Sequence, residues 1–190
     1  MKTEAKRFQE VITAFPALEA ILKELDIASI PYAVGGSVAL YVQGCNRKPK
    51  DVDIMFTDDA FNRANRLFNL EPRHIERPYN SMNKSTPVDG GSIEFLNRYA
   101  SKIGKQSYGS PPAETVAVPF KNMVIKLIRA EKIAVYKLIS RREHHDDLKD
   151  FNELFHHPDF DTTIFWKIVD SFGARETVVK LLGSQPEPQL

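Results

Sequence analysis

The chain has 190 residues, 42% hydrophobic, 10% aromatic and 27% charged, a composition that fits a globular protein and excludes disordered or fibrous classes. Its formal charge of +1 makes no overall electrostatic case for nucleic acid, so phosphate-binding groups have to be sought in local clusters such as Arg47, Lys48 and Lys50. No run approaches the roughly 18 apolar residues that span a bilayer, the opening MKTEAKRFQE lacks a signal-peptide core, and the single Cys45 has no internal disulfide partner; these predict a cytoplasmic protein without membrane association, with Cys45 as a small buried side chain.

In chain order, Phe8, Val11, Ile12 and Phe15, then Leu18, Ile21, Leu22 and Leu25, recur at helical spacing on either side of Pro16, predicting helices over 4–14 and 17–26. A short strand over 31–34 runs into Gly35-Gly36-Ser37 and an apolar helix over 38–42. After a basic link, the alternation Asp51-Val52-Asp53-Ile54 predicts a half-buried strand over 51–56. A helix capped by Thr57 or Asp58 runs to Leu70. Residues 71–91, rich in Pro, Asn, Ser and Gly, are predicted as a long loop with at most a short strand near 74–77. A strand over 92–96 and a hairpin of 115–120 with 123–128 follow. Helices over 130–142, 146–156, 161–172 and 174–182 end the ordered chain, and Trp166 is placed in their core. The order predicts a mixed α/β (α+β) fold: an α/β domain over 1–128, a C-terminal helical subdomain over 129–183 and a frayed tail over 184–190.

Two local patterns have chemical meaning. A strand ending in Gly35-Gly36-Ser37 lets backbone N–H groups approach a phosphate unobstructed, and bulk at Gly36 would block that approach or demand an unfavourable φ. Asp51 and Asp53 are two apart on a strand and so point to one side, where a pair of carboxylates suits Mg²⁺ or Mn²⁺. Alone, the first also reads as a structural turn and the second as a solvated edge pair.

Gly36-Ser37, the spacer 38–50 and Asp51-Val52-Asp53-Ile54 together resemble the nucleotidyltransferase superfamily, the fold of DNA polymerase beta and of the aminoglycoside and lincosamide nucleotidyltransferases. The resemblance implies a central mixed sheet, transfer of a nucleoside monophosphate from an NTP with release of pyrophosphate, and divalent metal on Asp51, Asp53 and a third carboxylate from a later strand. Glu94 in Ser92-Ile93-Glu94-Phe95-Leu96 is the candidate for that third group, where Asp is more usual, and Asp89 is its rival. Gly35, Gly36 and Ser37 are implied to hold the phosphates.

A second resemblance spans Ile128 to Asp150, where Lys137, Arg141 and Asp147-x-x-Asp150 look like the AbiEii-type nucleotidyltransferases, which include toxins of type IV toxin–antitoxin systems. Asp146 stands where those relatives have Arg. The likeness implies that Lys137 and Arg141, four apart on one helix face, approach the NTP phosphates, and that an antitoxin is a partner. The acceptor is expected to be an RNA such as a tRNA end, a protein hydroxyl or a small molecule. Two other classes compete: a catalytically weak nucleotide- or partner-binding module on the same fold, and a metal phosphohydrolase built on His144-His145-Asp146-Asp147 with His74.

Overall fold

The computed structural model describes residues 3–77, 80–88, 91–103, 106–110, 115–140 and 147–183. Two amphipathic helices open the chain, α1 (Thr3–Ala14) and α2 (Ala17–Ile27), with Pro16 at the N-cap of the second. Their buried residues are the predicted helical stripes, Phe8, Val11 and Ile12, then Leu18, Ile21, Leu22 and Leu25. The strand β1 (Ala33–Val34) then turns at once into α3 (Gly36–Val42). β2 (Val52–Phe56) follows, then α4 (Asp58–Phe68), which stops where Asn69 takes a left-handed φ of 51°.

The next stretch departs from expectation. Residues 71–91 are not one loop: β3 (Pro72–Arg77) and β4 (Asn80–Ser85) pair antiparallel over their whole lengths. β5 extends from Ile93 to Ile103, well past the predicted strand end at Leu96, and its second half pairs with β6 (Gln106–Ser110). The predicted hairpin forms as β7 (Thr115–Phe120) and β8 (Met123–Ile128), joined at Lys121-Asn122. Four helices complete the chain: α5 (Ala130–Ser140), α6 (Asp147–Phe155), α7 (Thr162–Ser171) and α8 (Arg175–Leu182).

The eight strands form a single sheet in the order β3-β4-β5-β2-β1-β8-β7, with β6 on the far half of β5. It is mixed: β2 pairs parallel with β5 and β1 parallel with β8, and the other pairs are antiparallel. Phe56 and Phe95 point to one face, where α4 packs, with Phe61 at 6.4 Å from Phe56 and Phe68 at 5.3 Å from Phe95 between ring centroids. The opposite face holds Asp53 and Glu94. Trp166 is buried beside Phe165, their rings 5.3 Å apart. No helix among the described residues is long and apolar enough to cross a membrane.

Cys45 is buried, and loss of hydration pushes its thiol up to about 12. At neutral pH the thiolate is therefore scarce as well as shielded. A thiol reagent such as dithiobisnitrobenzoate is expected to label native protein hardly at all, and to label it stoichiometrically once denaturant unfolds the chain. Rapid native labelling would contradict this placement of Cys45.

Candidate functional site

β1 and β2 set the site. They pair antiparallel at Ala33 with Met55 and Val34 with Ile54, and the pairing runs into the turn because the Gly35 N–H donates to the Asp53 carbonyl at 2.8 Å. The chain then reverses into α3 through Gly36, whose φ of +54° is costly for a residue with a side chain. A Cβ built on Gly36 would stand 2.1 Å from Oδ2 of Asp53. The turn glycine and the strand aspartate are therefore in direct contact, and the contact exists because residue 36 has no side chain.

Asp51 lies one residue before β2 and is exposed. Ser37 ties it to the turn, its Oγ donating to Asp51 Oδ1 at 3.3 Å and to the Asp51 carbonyl at 3.4 Å. Glu94 of β5 stands directly opposite Asp53 in the parallel register of β2 and β5, so the two carboxylates occupy neighbouring positions on one face, at strand spacing of about 4.8 Å. Lys84 of β4, missed in the sequence, donates from Nζ to Oε1 of Glu94. Among the described residues, no group of three His, Cys, Asp or Glu side chains is arranged as around a metal ion.

The expectation for Gly36 gains a second reason here. Bulk at Gly36 would block the approach to a phosphate, and the structure adds a collision with Asp53. Gly36→Ala is expected to lower the melting temperature as well, since the left-handed backbone alone costs about 1–2 kcal/mol. For a chain of this size that corresponds to roughly 2–8 °C by scanning calorimetry. An unchanged melting temperature would contradict the contact.

Lys137 is placed differently from the expectation that it reaches toward NTP phosphates. It is buried in α5, and its Nζ lies 3.0 Å from Asp147 Oδ1 and 2.6 Å from Asp150 Oδ2, both on α6. Arg47, from the link that leads into Asp51, reaches the same Asp150 carboxylate at 2.8 Å, and the Asn46 N–H donates to Glu153 Oε1 at 2.7 Å. Arg47, one member of the basic cluster Arg47, Lys48 and Lys50, thus fastens the carboxylate-bearing link to α6. The first turn of α6 is a buried ion-pair centre.

Arg141, the rival third carboxylate Asp89, and His144, His145 and Asp146 lie outside the described residues. His74, the upstream member of the phosphohydrolase reading, is exposed on β3 with its Nδ1 2.8 Å from Asn83 Oδ1. His156 closes the end of α6, its Nδ1 2.8 Å from the Asn152 carbonyl, in keeping with a helix-terminal role.

No protein-family model matches the chain, and no curated protein matches its sequence. Solved structures do match. A candidate nucleotidyltransferase from Thermotoga maritima superposes with a TM-score of 0.57 at 18% identity, over 74% of this chain and 92% of its own. A lincosamide antibiotic adenylyltransferase with lincomycin bound gives a TM-score of 0.47 at 15% identity, over 74% and 96% of the two chains. ANT(2″)-Ia in complex with adenylyl-2″-tobramycin gives 0.45 at 16%, over 89% and 94%. The structural neighbours are nucleotidyltransferases, and the likeness to the Thermotoga protein shows that this chain has the nucleotidyltransferase fold.

Proposed function

We propose that the chain transfers a nucleoside monophosphate from an NTP to a hydroxyl acceptor. The observation that carries this reading is the register of Asp53 against Glu94 beside a turn in which Gly36 has no side chain because the Asp53 carboxylate fills that space. In such a reaction the acceptor oxygen attacks the α-phosphorus, the bond from that phosphorus to the bridging oxygen breaks, and pyrophosphate leaves. The backbone of Gly35 and Gly36 and the Ser37 hydroxyl would hold the β- and γ-phosphates, because a turn without side chains lets amide groups approach them. Glu94 would accept the proton of the acceptor hydroxyl.

The donor set fits a hard divalent cation, being made of carboxylate oxygens alone. Asp51, Asp53 and Glu94 would hold Mg²⁺ or Mn²⁺, which supplies neutralising charge for the attacking and leaving oxygens when bound. For Glu94 to join, Lys84 has to be displaced. Lys84→Met is therefore expected to tighten Mn²⁺ binding by up to about fivefold, corresponding to the roughly 1 kcal/mol at which partly exposed ion pairs saturate. Calorimetric titration of both proteins with Mn²⁺ checks it, and equal affinities would remove Lys84 from competition.

The Lys84 ion pair favours one other reading, a binding module on the same fold in which Glu94 is committed to Lys84 and turnover is weak. One experiment separates the two. The protein is incubated with each labelled NTP, Mg²⁺ or Mn²⁺, and a mixture of tRNA, protein and small hydroxyl compounds. Label passing to any acceptor with release of pyrophosphate supports the transferase, and saturable NTP binding without release supports the module. The labelled fraction also identifies the acceptor, which by the resemblance is RNA, protein or an antibiotic-like small molecule. The AbiEii-like stretch from Ile128 to Asp150 adds an antitoxin protein as the partner to test, and Arg141 as a cation for the phosphates.

A further inference from the structure

The reverse face of the strands that hold Asp53 and Glu94 carries a second set of polar groups. Phe56 of β2 pairs with Asn97 of β5, Asn97 with Asn83 of β4, and Asn83 with His74 of β3. Three polar residues thus stand in one row across three adjacent strands, a row roughly 10 Å long at ordinary strand spacing. Alternation along β2 and β5 puts the row on the α4 side, away from the carboxylates. Between the row and the start of α4 lies an open cavity of about 480 Å³, lined also by Asp58, Phe61, Asn62 and Arg73. That is within the range of small-molecule sites.

Asn97 lines this cavity, yet it is only 3% exposed and its Oδ1 meets no hydrogen-bond partner. Native interiors rarely leave a buried amide oxygen unmatched, so the atom points to a missing donor. At the other end of the row, His74 Nδ1 and Asn83 Oδ1 are 2.8 Å apart. Because an amide oxygen only accepts, the ring donates from Nδ1 in this pair. The lining therefore holds acceptors at Asn97 and Asp58, a donor at Arg73, and at Asn62 an amide that both donates and accepts.

An apolar ligand would leave these groups unmatched, and with Asp58 and Arg73 both in the lining the charges balance and favour no anion. Hydroxyl groups on a sugar ring donate and accept at once and are spaced a few ångströms apart, as the row requires. We propose that this cavity binds a polyhydroxy compound of the sugar class, as a site separate from the carboxylate face and independent of the transfer reading.

The sugar could be free or the ribose of a nucleoside, and the test has an arm for each. The full chain, ¹⁵N-labelled and free of NTP and divalent metal, is titrated by NMR with glucose, with ribose and with adenosine. Saturable shifts of the Asn83 and Asn97 side-chain amides in the millimolar range are expected for at least one probe. Saturation with glucose or ribose identifies a free sugar, and saturation with adenosine alone identifies a nucleoside ribose. The exposed His74 is the safe position to vary, and His74→Ala should weaken binding at least fivefold while leaving the remaining spectrum in place. Absence of saturation with all three probes, or unchanged affinity in both His74→Ala and Asn83→Ala, would overturn the proposal.

Discussion

Asp53→Asn is expected to lower nucleotidyl transfer at least about 10³-fold, matching the several kcal/mol that a metal-held carboxylate site contributes to phosphoryl transfer. The melting temperature should stay close to that of the parent. Asn keeps the shape that fits against Gly36, where a Cβ would be 2.1 Å from Oδ2. It also removes one of two like charges at neighbouring register positions on β2 and β5, and opposed like charges destabilise a sheet. A loss of activity without a loss of stability is thus the outcome specific to a chemical role. Asp51→Asn should behave alike, since Asp51 is exposed and adds nothing to the core. Pyrophosphate release with each NTP, followed beside calorimetric melts, checks both variants. Full metal-dependent turnover in the two of them would remove the carboxylates from the chemistry.

The parts of this site that the sequence disclosed are those encoded locally. Gly35-Gly36-Ser37 and Asp51-Val52-Asp53 each lie within one turn or one strand, where period-two alternation and glycine chemistry can be read directly. What it could not disclose is pairing across the sheet. β3 and β4, PRHIER and NSMNKS, each contain one large apolar residue, Ile75 or Met82. Neither alternates, and they are strands because β4 pairs along β5, an instance of tertiary context overriding propensity. Without β4 in view, Lys84 had no reason to be set beside Glu94. The register of Glu94 against Asp53 is likewise a long-range fact, although the sequence did offer Glu94 as the strand-borne candidate.

Helix α5 carries a burial signal that is legible in its sequence. Its sequence AEKIAVYKLIS has no continuous polar face, and a helix without one is buried all round. Charged residues inside such a helix need partners nearby, and the structure provides them: Glu131 takes the Asp161 N–H at 3.0 Å and Lys137 takes two aspartates of α6. Arg47 carries no such signal. Its partner Asp150 is about a hundred residues away in sequence, and no local pattern distinguishes an ion-paired arginine from a solvated one.

Lys137→Met is expected to destabilise the fold by about 3–5 kcal/mol, the usual effect of removing one partner from a buried ion pair. For a chain of this size that is roughly 6–20 °C in melting temperature. Met keeps the length and apolar stem of the lysine, so packing survives and the charge alone is lost. What remains is Asp147 and Asp150 with side chains 2% and 5% exposed, and Arg47, itself 42% exposed, reaches Asp150. Adding Asp147→Asn to Lys137→Met should recover part of the loss, because it is the uncompensated carboxylate that costs stability, not the missing pair. The same variants decide whether Lys137 also serves the NTP. A direct phosphate contact requires the ammonium to leave both aspartates. In that case Lys137→Met would melt near the parent temperature and bind a non-hydrolysable NTP at least tenfold more weakly. A lysine that instead fastens α5 to α6 gives the reverse pattern, a large fall in melting temperature with NTP affinity, measured well below it, changed by less than tenfold. The two short Nζ contacts favour the second pattern, with Lys137 supporting through Asp150 and Arg47 the link that carries Asp51.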